Sequence, residues 1–127
     1  MITIPVSVGE LVDKISILQI KKNHIEDSHK LEKVDKELTE LLKLANSYLQ
    51  HESVNSLYED LLGINTQLWN TEDMLRVLEK EKNFGDSFVA YARDVYHLND
   101  ERFRLKSKIN TLTNSDIQEV KHYIDYK

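Results

Sequence analysis

Polar and charged side chains interrupt two apolar helical stripes of this chain, and their types suit the holding or protonation of an anionic group. Asn65, Trp69, Glu72 and Arg76 fall in one stretch, and Asn99, Arg102 and Lys106 in another. Arginine presents a planar fork of donors and lysine a point charge to a carboxylate or phosphate. An indole supplies an apolar or stacking wall, and a glutamate between helices is positioned for acid–base work. Glu72 is therefore the candidate catalytic group; Asn65, Trp69, Arg76, Asn99, Arg102 and Lys106 are the candidate ligand-binding groups.

These residues sit on the two arms of an expected helical hairpin from about Ser53 to Leu112, turning at Lys82-Asn83-Phe84-Gly85-Asp86. At about 100° per residue, Leu57, Leu61, Ile64, Leu68 and Leu75 form the apolar face of the first arm, and Glu72 falls within it. Phe88, Tyr91, Val95, Leu98, Leu105 and Ile109 form that of the second, with Asn99, Arg102 and Lys106 along its middle. For a turn centred near residue 84, residues of equal depth have numbers summing to about 168. Trp69 is then level with Asn99, and Asn65 nearly level with Arg102, so the two interruptions coincide in depth.

The rest of the chain must support this hairpin. Residues 2–6, Ile-Thr-Ile-Pro-Val, read as a short extended arm. Ser7-Val8-Gly9-Glu10 matches the capping box that opens a helix. That helix carries Val8, Leu11, Val12, Ile15, Leu18 and Ile25 on its core face, while Ile17 and Ile20 fall elsewhere, so contacts from more than one direction are expected. Glu10 and Lys14 are spaced for an ordinary i,i+4 pair. After the turn and cap residues Asp27-Ser28-His29, a second helix shows Leu31, Val34, Leu38, Leu41, Ala45 and Tyr48 in three–four alternation. Ser53 is placed to cap the first hairpin arm. Ser115 and Gln118 form a further box, from which a short helix bearing Ile117, Val120 and Ile124 is expected.

The expected fold class is all-α: an antiparallel up-down bundle of four main helices, with a short C-terminal helix and an extended N-terminal arm, in a single domain over residues 1–127. Long helices in so small a domain leave apolar flanks, for which burial in a symmetric homodimer is the simplest remedy.

Composition removes several function classes. A formal charge of −5, from 17 basic and 22 acidic residues, lacks the basic footprint of a nucleic-acid binder. Arg102-Phe-Arg-Leu-Lys-Ser-Lys108 does not supply one, because residues two apart on a helix point about 200° apart. There is no cysteine, hence no disulfide, thiolate zinc site or thiol nucleophile, which fits a reducing compartment. With no basic leader at Met1–Pro5 and no membrane-length apolar run, a cytoplasmic location and no membrane partner are expected. The strings Glu26-Asp-Ser-His29 and Glu119-Val-Lys-His122 resemble di-iron ligand pairs, yet such pairs must project from mid-helix into the bundle core, whereas one falls in a turn and the other in the short terminal helix, so no metal is expected. Three isolated glycines make neither a P-loop nor a dinucleotide-binding turn, and no other cofactor is implied.

Ile4-Pro-Val-Ser-Val-Gly-Glu-Leu-Val-Asp-Lys-Ile-Ser-Ile-Leu-Gln-Ile-Lys21, Leu68-Trp-Asn-Thr-Glu-Asp73 and Phe84-Gly-Asp-Ser-Phe-Val-Ala-Tyr-Ala-Arg-Asp-Val-Tyr-His-Leu-Asn-Asp100 resemble strings of a family of short, mostly helical bacterial and phage proteins with no assigned activity. The resemblance adds Glu10, Asp13 and Lys14 as secondary candidates. Leu11–Leu18 is more loosely similar to the first helix of helical chorismate mutases, whose early arginine is absent here, so no site is carried over.

Three arrangements fit the polar insertions. They are a paired Glu72–Arg102–Asn99 network under an indole cover, a pocket for an anionic small molecule, or a subunit interface anchored by arginine and tryptophan. The expected function is a non-catalytic binding or interaction module. A small-molecule enzyme or binder handling a carboxylate or phosphate is the alternative.

Overall fold

A computed structural model describes residues 1–127. The protein is all-α, with four helices: α1 (Val8–His24), α2 (Ser28–Leu49), α3 (Glu52–Lys80) and α4 (Asp86–Leu112). The N-terminal residues 1–6 are exposed and in neither helix nor strand.

Local chemistry sets most boundaries. Ser7 caps α1, its hydroxyl accepting from the Glu10 amide at 3.0 Å. Asp27 caps α2, its carboxylate accepting from the His29 and Lys30 amides at 2.9 and 3.0 Å. Neither α3 nor α4 has a side-chain cap; Ser53, expected to cap α3, lies inside its first turn. Both hairpin helices end in the same motif. Asn83 and Lys82 amides donate to Leu78 and Glu79 carbonyls, and Ser115 and Asn114 amides to Asn110 and Thr111. Each time one residue, Lys82 at φ 56° or Asn114 at φ 50°, takes the left-handed conformation of a Schellman stop.

That second stop corrects the expected C-terminal helix. Residues 113–127 contain no helix, because Ser115 is the last residue of the α4 stop and its hydroxyl is used elsewhere. It accepts from the Val8 amide at 3.2 Å. Ser115 is thus a cap, but for α1, at the other end of the chain. Ile117, Val120 and Ile124, expected to dock the short helix, are exposed.

Helix α1 packs on two sides. Leu11, Ile15 and Leu18 join Leu38 and Ala45 of α2 in one cluster. Val12 joins Val54, Leu61, Leu105 and Ile109 of the hairpin in another. A second α1 stripe, Gly9, Asp13, Ser16 and Ile20, is also buried. Helix α1 has 17 residues and α3 has 29, about 25 and 43 Å at the standard rise. The hairpin therefore outruns its support, and between Glu72 and Leu98 only Leu78 is buried.

Gly9 marks the closest approach. Its amide donates to Asn110 Oδ1 at 2.7 Å, and a Cβ there would stand 2.5 Å from the Lys106 carbonyl oxygen. A Cβ at Gly63 would meet nothing within 4 Å. Helix propensity favours alanine at both by up to about 1 kcal/mol, but overpacking against backbone costs about 2 kcal/mol. Urea denaturation should show Gly63→Ala stabilised and Gly9→Ala destabilised. Equal stabilisation of both would contradict the contact.

Candidate functional site

The buried stripe of α1 meets the polar stripe of α4 as a ladder. Asp13, with a fully buried side chain, lies opposite Arg102. Arg102 Nε donates to Asp13 Oδ1 at 2.9 Å and Nη2 to Oδ2 at 2.5 Å. From α3, Asn65 Nδ2 donates to Asp13 Oδ1 at 2.9 Å and to Ser16 Oγ at 2.7 Å. The Ser16 hydroxyl donates to the Asp13 carbonyl at 2.7 Å. One carboxylate thus joins three helices, with its charge and hydrogen-bonding capacity answered, as burial requires. The hydrogen bonds to Asp13 raise the Arg102 pKa against the opposing effect of burial.

One turn along α4, Lys106 is buried and pairs with Glu10 of α1 at 2.8 Å and with Glu119 at 2.7 Å. Burial pulls its pKa down, but the hydrogen bonds to the two carboxylates outweigh this and leave it above the ordinary 10.5. These contacts therefore hold at neutral pH, and on the alkaline side they fade as pH rises through the raised Lys106 value. One turn further is the Asn110 contact to Gly9. Because the helices are antiparallel here, 102, 106 and 110 meet 13, 10 and 9 in order.

Residues 113–127 run back along α4. Lys121 Nζ donates to the Asn99 carbonyl at 3.2 Å and stands 3.8 Å from Asp100, over the rings of Phe103 and Tyr123. Tyr126 donates to Asp100 at 2.5 Å and lies 3.2 Å from His97 Nδ1, with its ring against Tyr96 and His97. The Asp100 bond pushes the Tyr126 phenol up to about 12. The same bond holds the Asp100 carboxyl below its ordinary 3.8, so the contact persists at neutral pH and is lost as pH falls through the lowered value. Between tail and helix lies an open groove of about 1000 Å³, lined by Asn99, Arg102, Lys106, Glu119, Lys121 and Tyr123 among others.

The structure brings Asn65, Arg102, Lys106, Glu10 and Asp13 together and separates the rest. Trp69 is half-buried against His24 near the end of α1, ring centroids 5.1 Å apart, and does not roof Arg102. Asn99 is half-buried and takes part through its carbonyl. Glu72 and Arg76 are exposed. Arg102 pairs with Asp13 and not with Glu72, because Glu72 lies nearly two turns beyond Asn65, past the end of α1. Lys14 is exposed and faces α2, where it pairs with Glu37 at 3.8 Å; the expected partner Glu10 has turned to Lys106. Ser16 and Lys121 join the site without having been sequence candidates, and Glu119 enters as a partner of Lys106 and not as a metal ligand. Ser16 had a signal, the repeat Gly9, Asp13, Ser16, Ile20 at intervals of four, three and four, which marks a second helix face. No group of three or more histidine, cysteine, aspartate or glutamate residues is placed to hold a metal ion.

The pair is asymmetric, since the Arg102 side chain is 29% exposed and Asp13 not at all. Arg102→Met strands a buried carboxylate and should cost about 3 kcal/mol. Asp13→Asn leaves a guanidinium that reaches water and should cost about 1.5 kcal/mol. Glu72→Leu should not rescue Arg102→Met, whereas Asp13→Asn should recover part of the loss. Denaturant midpoints of the four variants test this order; rescue by Glu72→Leu would contradict it.

No curated protein and no solved structure matches the chain. A family model does, over residues 2–126, nearly the full ladder-and-tail assembly. The chain belongs to the family of unknown function DUF6165.

Proposed function

We propose that this protein is a non-catalytic interaction module that works as a homodimer in the cytoplasm, its four helices alternating up and down. The uncovered half of the hairpin carries this reading: Leu78 is the only buried residue between Glu72 and Leu98, while Met74, Val77, Phe84 and Val89 are exposed. A two-helix arm without a third element has little core of its own, and a second copy of the chain related by a two-fold axis supplies one at the least cost in new design. Glu72 and Arg76, exposed on the same stretch, provide opposite charges for a polar rim.

The ladder supports the non-catalytic part. Arg102 is neutralised by Asp13, and Lys106 by Glu10 and Glu119, so neither cation stands unpaired to polarise a reacting group. Glu72, the candidate acid or base, is exposed and removed from those cations. A reducing compartment suits a chain whose folding uses no disulfide.

Light scattering at micromolar concentration should give twice the 14.9 kDa chain mass. Val77→Asp, at an exposed position, should shift the protein to the monomer with its helical circular dichroism intact. A monomeric wild-type protein would overturn the proposal.

A further inference from the structure

At Glu119 the tail is held by an ion pair, and two residues on, Lys121 bonds the Asn99 carbonyl and lies over the Phe103 ring. Glu119 meets Lys106, yet its side chain is 41% exposed, and the neighbouring Val120 and Ile124 are 87% and 92% exposed. Neither Val120 nor Ile124 is buried to secure this stretch. Lys106 itself is 8% exposed and keeps a second carboxylate, Glu10, fixed on α1. On the adjoining turn, Arg102 directs Nε and Nη2 to Asp13, and its Nη1 makes no hydrogen bond within the chain. Arg102 also feels the Glu119 charge, and the groove runs beneath both.

We propose that Lys106 and the Nη1 edge of Arg102 form a subsite for a small dicarboxylate, that Glu119 occupies it as a tethered stand-in, and that the tail lifts when the ligand enters. Exchange of one carboxylate for another leaves the ion balance of Lys106 unchanged, so no buried charge is stranded during the exchange. A dicarboxylate adds to what Glu119 offers a second carboxylate for the solvent-facing Nη1 of Arg102, which is not among the buried unsatisfied atoms. The groove is open enough to admit a molecule of that size, and Asn99 on its wall offers a further amide. A tether of a few residues places Glu119 at an effective concentration on the order of millimolar, which sets the competition a free ligand must overcome.

The test uses the full-length chain, with succinate as the probe and inorganic phosphate as the comparison. Isothermal titration should show Glu119→Gln binding succinate about tenfold or more tighter than wild type, because the tethered competitor is gone. Lys106→Met should bind none. In the wild-type protein, which needs no variant to fold, near-saturating succinate should lower the heteronuclear NOE of residues 117–126, while sodium chloride of equal ionic strength should not. The proposal is overturned if Glu119→Gln binds succinate no tighter than wild type, if tail mobility does not respond, or if phosphate binds and succinate does not. These outcomes are independent of the dimer test, since the groove lies on α4 and the tail while the uncovered apolar stretch lies nearer the hairpin turn.

Discussion

The Asp13 carboxylate governs the arrangement of this protein. It is fully buried, and a buried charge is tolerable only with partners, so Arg102 and Asn65 must come to it. That requirement fixes the rotation of α1 against α3 and α4 and its height along them. The hydrophobic clusters on either side of α1 provide the larger driving force, but leucine and valine side chains tolerate sliding better than a bidentate ion pair does. Gly9 then lets the two backbones approach closely at the end of the ladder. A polar constraint thus selects one register among the several that apolar packing would accept.

Much of this was legible in the sequence because it follows from short-range chemistry. The Ser7 cap, the turn at Lys82–Asp86 and the three–four stripes of α2, α3 and α4 depend on neighbours within about two turns. Depth matching across the hairpin correctly put Asn65 and Arg102 at one level, but the residue between them came from α1. Pairing on a hairpin can be counted from its turn; pairing with a third helix depends on how that helix is rotated and where it stops. For the same reason Lys14 found Glu37 on α2, and Glu72 had no third helix beside it. Ser115 shows the limit most clearly: its hydroxyl has the chemistry of a cap, and nothing local says which helix it serves.

Polar residues in an apolar stripe carry three different meanings in this chain. Asp13, Ser16 and Asn65 complete one another and are internal structure. Glu72 and Arg76 are exposed where the stripe is no longer covered. Lys106 stands between these cases, buried and paired, with one partner on a rigid helix and the other on a segment with no secondary structure. Sorting the interruptions by what holds their partners, and not by residue type, separates an internal lock from a surface and from an exchangeable contact.

The bond from the Val8 amide to Ser115 spans 107 positions of the chain. During synthesis, α1 emerges before α2, α3 and α4, yet the amide at its start and the carboxylates of its first two turns wait for partners on α4 and the segment after it. Until those residues appear, α1 can pack on α2 through its leucines but retains an unmatched polar face. Of these four helices, the earliest made is therefore among the last to be fully satisfied. Long loop closure of this kind slows the final step of folding and leaves the growing chain dependent on its α1–α2 pair in the interval.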